Sequence, residues 1–264
     1  MKWWFSDYDG TININHDENI DIKDLNFINK WIKDENEFII ASGRMFNETK
    51  KNLQRSKLSY KYIISANGAS IYDSNDQLIY EKSIEMKDRQ RILDVVSKYK
   101  NKFALAICVG DKRISWHNAK IPTLDAIPMF KEYIPRLNQD EIIKKLMLNE
   151  PRVNLVYLYG EEQILLNFLS EIRKLLPELT ILRTHNNVVE IMHNDVSKGK
   201  AVKWFVNNYD ITPDDVFVSG DGENDIEMLA TFSNSFAMKV SQPGVHEAAN
   251  SIINHVYEIE NYLK

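Results

Sequence analysis

Lys2-Trp3-Trp4-Phe5-Ser6 is an apolar run that stops on Asp7-Tyr8-Asp9-Gly10-Thr11. A short run so rich in aromatics suits a buried β-strand. Two carboxylates one residue apart have no place in a core, so the strand has to end at a functional rim. The carboxyl edge of a parallel sheet is such a rim, because open α/β folds bind their ligands there.

The residues that follow keep an α/β rhythm. Strand 2–6, helix 21–36, strand 37–41, helix 46–56 and strand 61–65 alternate. The first helix carries Leu25, Ile28, Trp31 and Ile32 as an apolar stripe. Such alternation implies a parallel sheet with right-handed crossovers. It resumes after Ser197 with helix 198–208, strand 215–219, helix 224–231, strand 234–238 and helix 243–249.

The middle reads differently. Two short strand-like pieces, Ser70–Tyr72 and Gln77–Glu81, precede a helix near 85–100 and strands 103–109 and 113–117. Gly110-Asp111-Lys112 between those two strands predicts a hairpin. A mostly helical stretch 120–149, interrupted by Pro122, Pro128 and Pro135, leads to strand 153–159, helix 161–175 and strands 179–183 and 188–192. The expected organisation is an α/β core, 1–81 plus 188–264, interrupted by an inserted α+β domain at 82–187.

Composition narrows the function classes. The 264 residues leave room for two ordinary domains, and a net charge of −5 argues against a nucleic-acid binder held by phosphate contacts. The single cysteine, Cys108, sits inside the apolar stretch 103–109 and reads as a core residue. No apolar run reaches the roughly 18 residues of a membrane span, and no basic leader precedes one, so a cytoplasmic protein without a membrane partner is expected. No interface-like stripe stands out, which favours a monomer or a weak homodimer.

Four apolar strands end in polar groups of compatible kinds. Strand 2–6 delivers Asp7 and Asp9; strand 38–41 delivers Ser42-Gly43-Arg44; strand 62–65 delivers Asn67-Gly68; strand 216–219 delivers Gly220-Asp221-Gly222-Glu223-Asn224-Asp225. If the strands are parallel neighbours, these ends converge. Clustered carboxylates repel one another without a cation, and all-oxygen ligation suits Mg²⁺. A carboxylate beside Mg²⁺ and a phosphate-binding hydroxyl points to phosphoryl transfer through an aspartyl-phosphate. The Ser42 hydroxyl and the Gly43 amide can donate to phosphate oxygens, and Lys198 is the candidate cation. Asp9 can protonate a leaving oxygen and later deprotonate water.

This arrangement resembles the haloacid dehalogenase superfamily of phosphatases, in its Cof-like branch with a type IIB cap. Its four motifs stand in order as Asp7-Tyr8-Asp9-Gly10-Thr11, Ser42-Gly43-Arg44, Val196-Ser197-Lys198-Gly199 and Gly220 through Asp225, with Asn67-Gly68 and Glu190-Ile191 as branch-level signatures. The resemblance implies a Rossmann-like core, with the insert as a cap that governs substrate choice. It makes Asp7 the nucleophile and Asp9 the acid–base group. Mg²⁺ would be held by Asp7, the Asp9 carbonyl and Asp221, supported by Asn224 and Asp225. Thr11, Ser42, Gly43, Arg44, Asn67, Lys198 and Asn224 fall on the phosphate and substrate side. The implied substrate is a small phosphorylated metabolite such as a sugar phosphate. A phosphomutase of the same architecture and a phospho-ligand binding protein are the alternatives. One departure stands out: Lys239-Val240-Ser241 replaces the usual Gly-Asn-Ala of a loop near the metal site.

Blander readings fail by comparison. Gly220 and Gly222 lack the third glycine of a dinucleotide fingerprint, and Lys198-Gly199-Lys200 lacks the remainder of a P-loop. No two histidines have zinc-ligand spacing on a helix, and all six read as surface residues, with His117 and the segment 183–187 as candidates to face the site.

Overall fold

The computed structural model describes residues 1–17, 19–99, 102–116, 136–137 and 140–263. The chain forms two compact units, Met1–Tyr80 with Val196–Lys264, and Glu81–Asp195.

The first unit is built on an eight-stranded sheet. Its strands are β1 (Trp3–Ser6), β2 (Glu37–Ala41), β3 (Tyr62–Ser65), β4 (Ser70–Asp73), β5 (Leu78–Glu81), β12 (Val216–Gly220), β13 (Asn234–Met238) and β14 (Ser251–Ile253), in the order β14-β13-β12-β1-β2-β3-β4-β5. From β14 through β3 every pairing is parallel, and β4 returns antiparallel to β3. Chain order runs outward from β1 in both directions, through β2 on one side and β12 on the other. The carboxyl edge between β1 and β12 is therefore a topological switch point, where crossovers diverge and leave a crevice.

Alternation along β1 explains how the sheet acquires two cores. Trp4 faces helix α1 (Ile22–Lys33), with ring centroids 5.5 Å from Phe27, 5.6 Å from Trp31 and 4.8 Å from Phe38. Trp3 and Phe5 face the opposite side and meet Phe205 at 6.3 and 5.3 Å. Phe205 belongs to a helix, Lys198–Asn208, on that second face. Helix α1 begins where Asp21 accepts the Lys23 amide at 2.8 Å, a side-chain N-cap. Its buried Phe27, Ile28 and Trp31 follow the helical period, and helix α2 (Phe46–Arg55) joins β2 to β3.

The second unit carries a six-stranded sheet of β6 (Phe103–Val109), β7 (Lys112–Trp116), β8 (Arg136–Leu137), β9 (Val153–Gly160), β10 (Thr180–His185) and β11 (Val188–Met192), in the order β10-β11-β9-β6-β7-β8. Its pairings are antiparallel except β7 with β8. Helices α3 (Met86–Lys98) and α5 (Glu162–Leu175) cover one face, where Ile92, Val96, Phe168 and Ile172 pack on Leu105, Ile107, Val156 and Leu158. Cys108, which alternates to the other face of β6, is buried as well.

Several expectations need correction. The sequence places strand 188–192 in the core, yet β11 pairs with β9 and β10, and the second unit runs on to Asp195. Val189 and Ile191 share their apolar face with the helices of the insert. An alternating strand fits either sheet, so only pairing decides its owner. Of the helical stretch expected over 120–149, the part from Asp140 to Asn149 is helix α4, while Arg136–Leu137 is strand. The remainder of it and His117 lie outside the described residues. The helix expected over 243–249 shortens to Val245–Ala248, and β14 and a 3₁₀ stretch Val256–Tyr262 follow it. His193 is buried and accepts the Asp195 amide at 2.9 Å.

Among the described residues, no helix is long and apolar enough to cross a membrane.

Candidate active site

The carboxyl ends of β12, β1, β2 and β3 lie side by side, so the four polar strand ends share one edge. Asp7 follows β1 directly. Its amide donates to the Ser219 carbonyl at 2.9 Å, which extends the β1–β12 ladder by one residue and sets the carboxylate against that of Asp221.

Beneath Asp7 runs a chain of hydroxyls that the sequence did not announce. The Trp4 indole N–H donates to Ser219 Oγ at 3.0 Å, Ser219 donates to Ser6 Oγ at 2.8 Å, and Ser6 donates to the Asp7 carbonyl at 2.8 Å. Ser6 and Ser219 are register partners on β1 and β12, and both are fully buried. Every donor in the chain has an acceptor, so the peptide carrying Asp7 is held without an orphaned buried group. The one clue in the sequence is that β1 and β12 each carry a serine near an otherwise apolar carboxyl end.

Lys198 opens helix α6 (Lys198–Asn208). Ser197 caps that helix by accepting the Lys200 amide at 3.0 Å. A cation in the first turn opposes the helix dipole. Here it is compensated: Lys198 Nζ donates to Asp7 Oδ1 at 2.6 Å and to Asp225 Oδ1 at 2.8 Å, and the lysine is fully buried. Burial pulls the ammonium's pKa down, but Asp225 and Asp7 outweigh it and leave the group above its ordinary value. Asp225 is anchored in turn, since its Oδ2 accepts the amides of Asp221 and Gly222 at 3.1 and 3.0 Å.

Asp221 completes the group. Thr11 Oγ1 donates to its Oδ1 at 2.9 Å, so Thr11 orients an acid in this structure rather than pointing toward a substrate. Gly10 has φ +87°, and a Cβ there would lie 2.4 Å from Asp221 Oδ2. Only glycine admits both that backbone and that approach.

Ligand oxygens of Asp7, Asp221 and Asp225 all lie within 4.8 Å of one another. Burial raises the Asp7 carboxyl well above the usual range; Lys198 opposes the shift, and Asp225 and Asp221 add to it. Burial, then Asp225, push Asp221 up to about 6. Three carboxylates against one ammonium leave two negative charges in excess. A cluster of hard oxygens with that charge fits a divalent cation such as Mg²⁺. A second group, Asp21, Asp24 and His255, has comparable spacing. There Asp24 already accepts the Tyr257 amide at 3.0 Å and bonds His255 Nδ1 at 2.9 Å, which fastens the C-terminal turn to α1.

The other expected residues are placed as follows. Ser42, buried after β2, accepts the Arg44 amide on Oγ at 3.1 Å, which leaves its O–H to donate. Gly43 lies against Asn67: a Cβ on it would be 3.0 Å from Asn67 Oδ1. Ala66 and Asn67 both have left-handed backbones, φ 49° and 55°, a costly pair for non-glycine residues and of the kind that gathers at functional sites. Asn67 Oδ1 accepts from Asn224 Nδ2 at 2.8 Å, so these two residues join the loops after β3 and β12. Arg44, expected on the phosphate side, instead grips Asp9, with Nε to Oδ2 at 2.6 Å and Nη2 to Oδ1 at 2.7 Å.

The departing loop does support this edge. Gln242, just past Lys239-Val240-Ser241, donates its amide to the Asp221 carbonyl at 2.8 Å and accepts the Glu223 amide on its side chain at 2.9 Å.

A family model for haloacid dehalogenase-like hydrolases matches residues 4–260. The chain belongs to that family. An uncharacterized protein of Mycoplasma capricolum is 26% identical over 98% of this chain and 99% of its own length. A Bacillus subtilis protein provisionally named a phosphatase is 23% identical over 92% and 89%. Among solved structures, a sugar phosphatase of subclass IIB superposes with a TM-score of 0.83 at 18% identity, covering 99% of this chain and 98% of its own. The doubly wound core and its α+β insert are thus those of the haloacid dehalogenase fold.

Proposed function

We propose that the chain is a Mg²⁺-dependent phosphatase that hydrolyses a small phosphorylated metabolite, such as a sugar phosphate, through an aspartyl-phosphate on Asp7. The observation that carries this reading is the buried Asp7–Lys198–Asp225 ion triad set beside Asp221, with Asp9 two residues beyond Asp7 on the same edge. An Asp7 oxygen attacks phosphorus while the bond to the ester oxygen breaks, and Asp9 gives that oxygen its proton. Water then attacks the phosphoryl group, its proton passes to Asp9, and the bond to Asp7 breaks to release phosphate. Lys198 offsets charge at Asp7, and the Ser42 hydroxyl and Gly43 amide are the donors assigned to the phosphoryl oxygens.

Asp7 and Asp221 would hold Mg²⁺ with their carboxylates and Asp9 with its carbonyl, while Asp225 and Asn224 support from behind. Bound there, the ion supplies charge neutralisation and polarisation of the phosphoryl group. Asp225 already spends both oxygens on Lys198 and two amides, which favours a supporting part for it. Substrate choice is assigned to the inserted unit. The sugar-phosphate class is supported by likeness to the subclass IIB sugar phosphatase.

The test is phosphate release from an aryl phosphate with Mg²⁺ present. Asp7→Asn is expected to abolish it, and undiminished turnover in that variant would reject the nucleophile. A panel of phosphate esters then identifies the substrate class.

A further inference from the structure

We propose that Arg44 is an anion-responsive catch on Asp9, which exchanges that carboxylate for the phosphoryl group of the substrate. The proposal rests on the reading of Asp9 as the acid–base group. In the present structure each Asp9 oxygen accepts one N–H of a single guanidinium fork, at 2.6 and 2.7 Å. This is the strong bidentate form of the interaction. To pass a proton to a leaving oxygen, or take one from water, Asp9 must turn a lone pair toward that partner. The fork fixes the plane of the carboxylate, so turning it toward a new partner opens at least one of the two bonds to Arg44.

What opens it follows from the geometry of the fork. A phosphoryl group presents two oxygens much as a carboxylate does, and guanidinium recognises both in the same way. The pair is open to solutes, with about a third of the Arg44 side chain and a quarter of the Asp9 side chain exposed. The backbone that carries the fork is held on both sides. The Arg44 amide is held by Ser42 Oγ at 3.1 Å, and its carbonyl accepts the Ala66 amide at 2.9 Å, so only the side chain is left to move. Those same contacts place the fork on the turn that carries Ser42, the proposed phosphate donor. With no ester present, Arg44 occupies Asp9. With an ester bound, Arg44 turns to the phosphoryl group and stays with it through both half-reactions, leaving Asp9 at liberty for each proton transfer. Asp9 thus competes with phosphate for Arg44, and the apparent affinity for phosphate is lowered by the fraction of time that the catch is closed.

The experiment measures inhibition of aryl-phosphate turnover by inorganic phosphate in the full chain with Mg²⁺. Arg44→Ala should raise the phosphate inhibition constant and KM together by about tenfold or more, the loss of a charge-assisted bidentate contact. Its kcat/KM should fall by at least the same factor, since the contact is kept through both half-reactions. Arg44→Lys should lie between, since an ammonium attracts phosphate without the fork. An inhibition constant unchanged in both variants overturns the exchange whatever happens to kcat, because an arginine that only positions Asp9 moves kcat alone. A crystal structure with inorganic phosphate is the second arm and needs no variant to fold. Arg44 on phosphate, with at most one bond left to Asp9, supports the exchange; both bonds retained beside bound phosphate overturn it. Failure of the hydrolase reading itself would be seen separately, as undiminished turnover in Asp7→Asn.

Discussion

Replacing Lys198 by methionine keeps the apolar stem and removes only the charge and its two hydrogen bonds, to Asp7 at 2.6 Å and Asp225 at 2.8 Å. The lysine is fully buried, so solvent cannot stand in for it. Deleting one partner of a buried ion pair costs about 3–5 kcal/mol, because the other charge stays buried and uncompensated. Lys198→Met in metal-free buffer at pH 8 should lose that amount, equivalent to roughly 10 °C in Tm. Urea unfolding followed by tryptophan fluorescence is the assay. Trp3, Trp4, Trp31 and Trp204 all belong to the unit that holds the site, so the signal reports mainly on that unit. The pH dependence is diagnostic. Asp7 already lies above its ordinary value of 3.8 through burial, and loss of Lys198 removes the one cation that opposes the shift. An acid raised on folding contributes stability that is complete below its unfolded value and is lost as pH rises through its folded value. The deficit should therefore be largest at pH 8 and shrink toward pH 5. A deficit under about 1 kcal/mol at pH 8, or one equal at both pH values, would refute the account of Lys198 as the cation that makes buried carboxylates tolerable. Turnover should fall about a hundredfold or more in the same variant.

Two further outcomes follow from the same geometry. Ser6→Ala strips the Asp7 carbonyl of its hydroxyl donor and Ser219 of its acceptor, and should cost about 1–3 kcal/mol in urea unfolding. The double variant with Ser219→Ala should cost less than the sum of the two singles. Mg²⁺ should raise Tm more at pH 7.5 than at pH 5. Asp221, pushed up to about 6 from 3.8, gives a contribution lost as pH rises through about 6, and a cation bound above that pH compensates it. At a hundred times its Kd the ion should add about 2.7 kcal/mol at pH 7.5. A shift of equal size in Asp221→Asn would argue against the site.

The gathering of polar strand ends on one rim was legible because those ends are written in short segments. Each strand end carries its residues contiguously, as in Ser42-Gly43-Arg44 or Gly220 through Asp225, and an apolar run that stops on charge marks its own edge. Lys198 was legible by its place after Ser197, yet its two carboxylate partners are 191 and 27 residues away in the chain. Thr11 and Arg44 are expected at the site from the motifs, but the sequence does not show what they touch. Both side chains are spent on acids, Asp221 and Asp9, and no local spacing encodes such a partner. The hydroxyl chain under Asp7 was invisible for a related reason: Ser6 and Ser219 matter only because parallel register places them opposite each other.

The sequence by itself determined the alternation of strand and helix, the presence of an α+β insert and the identity of the acids at the strand ends. These depend on side-chain period and on residues adjacent in the chain. Tertiary structure decided which sheet owns Val188–Met192, which cation neutralises which carboxylate, and where Arg44 spends its charge. Those choices are made by strand pairing and by the need of each buried charge to find a partner. Both are contests between segments far apart in the chain, and the folded arrangement alone resolves them.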